Sequence, residues 1–280
     1  MTDSGTLFVV ATPLGHLGDL SLRAGEILRG VPVVAAEDTR RSRQLLTYLG
    51  ASPLLLSFHA HSDPGRLDKL LGILAEGRDM ALVSDAGTPG ISDPGAALVR
   101  AVRAAGIRVV PIPGPSAVAT ALSASGLPAD RFLFLGFLPR KGSERERLLR
   151  QTADSEWTVV LYEAPHRLAG LLGDLAAAAG PDRYVVVGRE LTKVHEEFRA
   201  GSLSDLVAYW SGVEVRGECT VVVEGRGYVE PSVADQAEAG RALAAALLAE
   251  GHSHKDAVRL LVEQLQLPRN LAYRLVMERP

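Results

Sequence analysis

The sequence predicts an α/β protein: two α/β domains followed by a small helical domain. Three patterns carry this. Short apolar, β-branched runs alternate with helical stretches over the first half, a second series of such runs starts near residue 131, and from residue 231 the pattern is almost purely helical.

In the first half, strands are expected at 6–11, 32–36, 53–58, 80–84 and 107–112, with helices at 21–29, 39–49, 64–77 and 94–105. Apolar strands separated by amphipathic helices indicate a mainly parallel sheet covered on both faces. Gly30, Gly50, Gly77 and Gly106 each follow a helical pattern, where a left-handed residue is expected to end the helix. The second series comprises 131–137, 157–163, 184–191, 197–203 and 219–225. A hairpin-like pair follows its third strand, so this sheet should be mixed. The segment SGLPAD (125–130) marks the boundary, giving domains over 1–125, 126–230 and 231–280, the last resembling a helix-turn-helix appendage.

Composition narrows the class. A chain of 280 residues with 47% hydrophobic and 22% charged residues is an ordinary soluble protein long enough for two domains. A net charge of −3 gives no global attraction to nucleic acid, so such binding must come from local patches. The single Cys219 excludes an internal disulfide framework and a cysteine zinc cluster. Neither a signal peptide nor a membrane-spanning stretch is visible, and a cytoplasmic protein is expected. His59 and His61, and His252 and His254, have ligand-like spacing but no third partner nearby, so no metal is expected.

The unusual loops follow the strands: TPLGHLGD (12–19), EDTRRSR (37–43), HAHSDPG (59–65), DAGTPGISDPG (85–95) and PGPSA (113–117). In an open parallel sheet these ends share one edge, where ligands bind. Neither the dinucleotide nor the NTPase glycine motif is present. Proline removes N–H donors and glycine permits close backbone approach, so the loops offer carbonyls and fixed walls. They suit a cationic or neutral small molecule better than a polyphosphate.

The stretches VATPLGHLGDLSLRA (10–24), AAEDTRRS (35–42), ALVSDAGTPGISDPG (81–95), RVVPIPGPSAVATALSASGLPADRF (108–132), GFLPRKG (136–142), LYEAPHRL (161–168), VGRELTKVHEE (187–197) and GECTVVVEG (217–225) resemble the tetrapyrrole methylase superfamily of S-adenosylmethionine-dependent enzymes. Within it they resemble the branch that methylates the ribose 2′-hydroxyl of a cytidine in the decoding region of 16S rRNA. The resemblance implies two α/β domains with the cofactor in the cleft between them, a homodimer, and 16S rRNA or the small ribosomal subunit as partner. His16 stands where the family pattern has Asn.

By matching motif, S-adenosylmethionine is expected to meet Leu14, Asp85, Gly87, Thr88, Pro89, Ile91, Gly114, Pro115, Ser116 and Ala117, with Tyr162, Cys219 and Thr220 closing over the adenine. Catalytic candidates are Glu163 and Asp38, as base or positioner, and Lys193, as a cation toward RNA phosphate. Arg40, Arg140, Lys141, Arg167 and Arg189 are the expected RNA contacts. Two other readings stay open: the same cofactor with a tetrapyrrole or protein acceptor, and a non-enzymatic RNA-binding module.

Overall fold

The computed structural model describes residues 4–59, 64–227, 233–265 and 267–277. The chain forms two compact units, residues 1–227 and 228–280. The first contains two five-stranded sheets.

The first sheet is built from β1 (Leu7–Val10), β2 (Val33–Ala36), β3 (Leu54–Ser57), β4 (Met80–Val83) and β5 (Val109–Ile112), in the order β3-β2-β4-β1-β5. Every pairing is parallel. The connecting helices are α1 (Leu22–Gly30), α2 (Thr39–Tyr48), α3 (Pro64–Ala75) and α4 (Ala96–Ala104). They divide over the two faces. Leu28, Leu46 and Leu49 pack with Val10, Val34 and Ile112 on one side; Leu70, Leu74, Leu98 and Val102 pack with Leu7, Val33 and Leu82 on the other. Burial on both faces explains why β2 and β4 are apolar without alternation.

Helix α5 (Ala117–Ser125) leads to the second sheet: β6 (Phe132–Phe137), α6 (Ser143–Asp154), β7 (Thr158–Glu163), α7 (Leu168–Ala179), β8 (Tyr184–Arg189), β9 (Glu197–Ser202), α8 (Leu203–Ser211) and β10 (Cys219–Val223). The order is β6-β7-β10-β8-β9. Only β6 and β7 are parallel, so the sheet is mixed as expected, and β8–β9 is the hairpin. Although α5 precedes SGLPAD in sequence, its Val118, Ala121 and Leu122 pack on Val160, Val186 and Val222 of this sheet.

The second unit comprises α9 (Val233–Ala249), α10 (His254–Leu265) and α11 (Arg269–Met277), joined by a core of Ala244, Leu247, Ala257, Leu261, Ala272 and Leu275.

One helix ending differs from expectation. Gly50, Gly77 and Gly106 adopt positive φ, but Gly30 does not. It remains the last residue of α1, and Val31 turns out extended, its N–H donating to the Ile27 carbonyl.

Candidate active site

Because the first sheet is wholly parallel, the loops after its strands meet on one edge. The loops after β1, β2, β4 and β5 line a cavity of about 320 Å³ there, within the range of small-ligand pockets. Of the loop after β3, residues 60–63, with His61, lie outside the described residues. The opposite wall comes from the second sheet. Antiparallel register places Tyr162 beside Thr220 and Glu163 beside Cys219, delivering four side chains at neighbouring strand ends.

Leu14, Asp85, Gly87, Thr88, Ile91, Ser116, Ala117, Tyr162, Cys219 and Thr220 line this cavity. Pro89, Gly114 and Pro115 are not among its lining residues. Pro115 shapes the wall through its carbonyl, which accepts from Thr88 Oγ1 at 3.1 Å, and Gly114 sits where a Cβ would press on the Ala11 methyl at 3.0 Å. Gly87 adopts φ +81° and exchanges two backbone hydrogen bonds with Thr12, fastening the loop after β4 to the loop after β1. Ser116 occupies the N-cap of α5, yet its hydroxyl makes no capping bond. That leaves it facing the cavity. Ile91 and Phe137 also line it and are 44% and 53% exposed, large apolar surfaces awaiting a cover.

The charges of the cavity are mostly negative: Glu37, Asp85, Asp93, Glu163 and Glu218 against Arg41. Burial raises the pKa of Glu37 above the ordinary carboxylate value, and Asp93 and Asp85 raise it further. Asp93 is raised by burial and by Asp85 and Glu218, against a lowering hydrogen bond from Ser84. Burial pushes the Tyr162 phenol up to about 12, and the nearby Asp93 charge adds to the rise. Burial likewise pushes the Cys219 thiol up to about 12. Cys219 should therefore resist iodoacetamide at pH 8 in the folded protein and react only after unfolding. Intact-mass measurement before and after denaturation checks this; rapid labelling of native protein would contradict it.

The three catalytic candidates separate. Asp38 caps α2 by accepting from the Arg40 N–H, and the Arg40 side chain holds its pKa down to about 2. A carboxylate so stabilised as an anion is a poor proton acceptor. Glu163 is 1% exposed: Oε1 accepts from the Ala164 N–H at 2.8 Å and lies 3.3 Å from Arg167 Nε, while Oε2 is buried without a partner. Lys193 is not at the first cavity but lines an adjoining one. Burial works against its charge, but hydrogen bonds and charge from Glu190 and Glu218 prevail and raise its pKa, so it stays a cation and not a base.

The expected RNA contacts also divide. Arg40, Arg140 and Lys141 are exposed. Arg167 instead donates inward to the Leu138 carbonyl at 2.8 Å and pairs with Glu163. Arg189 pairs with Glu197, its register partner on β9, and donates to the Arg216 carbonyl. Both side chains are mostly covered and engaged in these pairs, so a phosphate would have to compete with Glu163 or Glu197 for them. His16 has a structural role too, its Nδ1 accepting from the Gly18 N–H at 3.1 Å as the cap of a 3-10 turn over Leu17–Asp19. An asparagine side-chain oxygen can cap in the same way. Asp93, Glu218 and Phe137 lie within motifs already recognised in the sequence, yet nothing there marks them as cavity residues.

Residues suited to the expected cofactor are present. An acid-rich lining favours a ligand carrying sulfonium and ammonium charges, and the orphaned Glu163 Oε2 has capacity for one more donor. Among the described residues, no cluster of His, Cys, Asp and Glu could hold a metal ion.

Comparison with known proteins agrees with this geometry. Residues 6–207 match the model of the Tetrapyrrole (Corrin/Porphyrin) Methylases. Proteins named ribosomal RNA small subunit methyltransferase I are similar over nearly their whole length. The one from Synechocystis sp. is 45% identical, covering 98% of both chains; that from Xylella fastidiosa strain Temecula1 is 47% identical, covering 98% of this chain and 99% of the relative. Among solved structures, the uroporphyrin-III-C-methyltransferase of Thermus thermophilus superposes with a TM-score of 0.56 at 25% identity, over 79% of this chain and 94% of that one. Diphthine synthase does so with a TM-score of 0.63 at 16% identity, over 79% and 90%, a likeness of fold alone. The chain belongs to the tetrapyrrole methylase family, in the branch whose curated members are named ribosomal RNA small subunit methyltransferase I.

Proposed function

We propose that this protein methylates the ribose 2′-hydroxyl of a cytidine in the decoding region of 16S rRNA, with S-adenosylmethionine as methyl donor. The acid-lined cavity at the strand ends carries the cofactor half of this reading. Similarity along 98% of the chain to methyltransferases of small-subunit ribosomal RNA supports the acceptor half.

S-Adenosylmethionine supplies a sulfonium-activated methyl group, and its transfer to a hydroxyl oxygen leaves a neutral thioether and one proton. The residues around Gly87 and the start of α5 hold the donor, with Tyr162, Cys219 and Thr220 as the opposite wall. Glu163, anchored by Arg167, offers its unpartnered oxygen to a donor group of the ligand. A ribose hydroxyl is a poor nucleophile at neutral pH, so a positioned proton acceptor helps. Glu37 fits that role better than Asp38: it lines the cavity and its pKa is raised rather than lowered. Arg40, Arg140 and Lys141, all exposed, are cations for RNA phosphate.

The helical unit is proposed to dock RNA. A groove on it is lined by Lys255, Arg259 and Arg269 against Asp256 and Glu263, with Tyr273, 55% exposed, as a stacking surface. Removing residues 228–280 should preserve cofactor affinity but weaken RNA binding, with a salt slope shallower by roughly 0.7 for each phosphate no longer bound. Salt-dependent binding and solution mass, measured on the same truncation, check this. Unchanged RNA affinity would refute docking, and conversion to a monomer would assign the unit to the interface of the proposed homodimer.

The reading as a whole is tested by incubating small subunits lacking the modification with the protein and methyl-labelled S-adenosylmethionine. Label should enter the RNA; label entering only protein, or none at all, would refute it.

A further inference from the structure

We propose that a second cavity, adjoining the first across Asp85, receives the acceptor nucleotide with its base turned out of the RNA, and that Gln44 reads the base edge. This rests on the methyl-transfer reading above. The second cavity measures about 310 Å³, nearly the volume of the first, and the two share Leu14, Arg41, Asp85, Ala86 and Glu218 in their common wall. Ligands held one in each cavity would meet at that wall, as donor and acceptor of a group transfer must.

Its lining differs in kind from that of the first cavity. Leu45 on α2, with Pro13 and Leu17 from the loop after β1, provides apolar walls, and Leu17 is 42% exposed. To the shared Arg41, which pairs with Asp85 at 3.7 Å, the second cavity adds Lys193, so its two cations balance the shared Asp85 and Glu218 and leave it less acidic than the first, as the phosphates flanking a splayed-out nucleotide require. Arg41, Gln44 and Leu45 stand at helical positions i, i+3 and i+4, so α2 presents cation, amide and apolar side chain on one face. Among the described residues of the lining, Gln44 has the only side-chain amide, and an amide can pair one donor and one acceptor with a pyrimidine edge.

Lys193 is held firmly. Its Nζ bonds Glu190 Oε1 at 2.8 Å, and the same oxygen accepts from the Glu218 N–H at 3.2 Å. Glu190 and Thr192 adopt φ +53° and +65°, conformations rare for residues with side chains. At Gly217, itself at positive φ, a Cβ would collide with the Glu190 carboxylate. Thr192 Oγ1 accepts from the His16 N–H at 3.1 Å, fastening this loop of the second sheet to the first-sheet loop that bears Leu17. The left-handed turn therefore places a cation where a phosphate would arrive.

The test uses the full-length protein with small subunits carrying either cytidine or its analogue lacking the 4-amino group at the nucleotide that wild type methylates. Gln44→Ala should lower kcat/KM on the cytidine substrate roughly tenfold or more and reduce discrimination against the analogue, with S-adenosylmethionine affinity unchanged by calorimetry. Leu17→Ala should raise KM while leaving that affinity and the discrimination unchanged. Unchanged discrimination in Gln44→Ala, or loss of cofactor affinity in parallel with activity in both variants, would overturn the inference. Absence of methyl transfer by wild type would overturn the methyl-transfer reading, and this inference with it.

Discussion

Gly87→Val is expected to weaken S-adenosylmethionine binding at least about a hundredfold while leaving the protein folded. The glycine holds φ +81°, a conformation in which a β-branched residue is strained by about 1–3 kcal/mol. A bare Cβ would find room, 3.4 Å from Leu14 Cδ2 and 3.8 Å from the Pro115 carbonyl oxygen. The damage therefore comes from the backbone and from the branches, not from one atom. Relieving the strain means moving the loop and breaking its paired hydrogen bonds to Thr12, and the two γ-methyls intrude on the cavity. The sheets lie outside the loop, so the melting temperature should fall by only a few degrees. Calorimetric titration and thermal melting of the same sample check both halves. Wild-type affinity in the folded variant would remove this cavity as the cofactor site.

Glu37→Gln should reduce kcat by roughly 10²- to 10⁴-fold, the usual contribution of a positioned acid or base, and change cofactor affinity little. The raised pKa of Glu37 fixes the sign of the pH dependence: below it the carboxyl is protonated and cannot accept a proton. Wild-type activity should therefore rise with pH through a value above the ordinary carboxylate pKa, and this limb should vanish in the variant. Asp38→Asn should leave that limb in place, because Asp38 is already ionised above about pH 2. A full acidic limb in Glu37→Gln would transfer the role elsewhere, with Asp93 the next candidate.

Glu37 and Asp38 show where sequence reading ends. They are adjacent, and the motif brings both to the same strand end. One extends into a cavity beside Asp85 and Asp93; the other turns to cap α2 and pairs with Arg40. Chain direction at the helix start decides this, and composition does not encode it. Strands and the loops that line the cavity are legible because their signals are local: β-branched runs for the sheets, and Gly, Pro and Asp together for backbone that bends sharply at the strand ends. The roles of Arg167 and Arg189 are not legible, because their partners depend on tertiary register. Glu197 faces Arg189 only through the β8–β9 pairing, and the Leu138 carbonyl meets Arg167 across 29 residues of chain. The place of α5 is hidden for a similar reason. Its apolar face, Val118, Ala121 and Leu122, does not reveal which sheet it covers.

Mass-spectrometric mapping of the methyl group after reaction with unmodified small subunits tests the proposed activity itself. Digestion to nucleosides and then to sequence-placed fragments locates the methyl on ribose or base and names the nucleotide. The expected result is one methyl per subunit, on the ribose 2′-oxygen of a single cytidine of 16S rRNA in the decoding region. A methyl on a base, on a ribosomal protein, or spread over many nucleotides would contradict it.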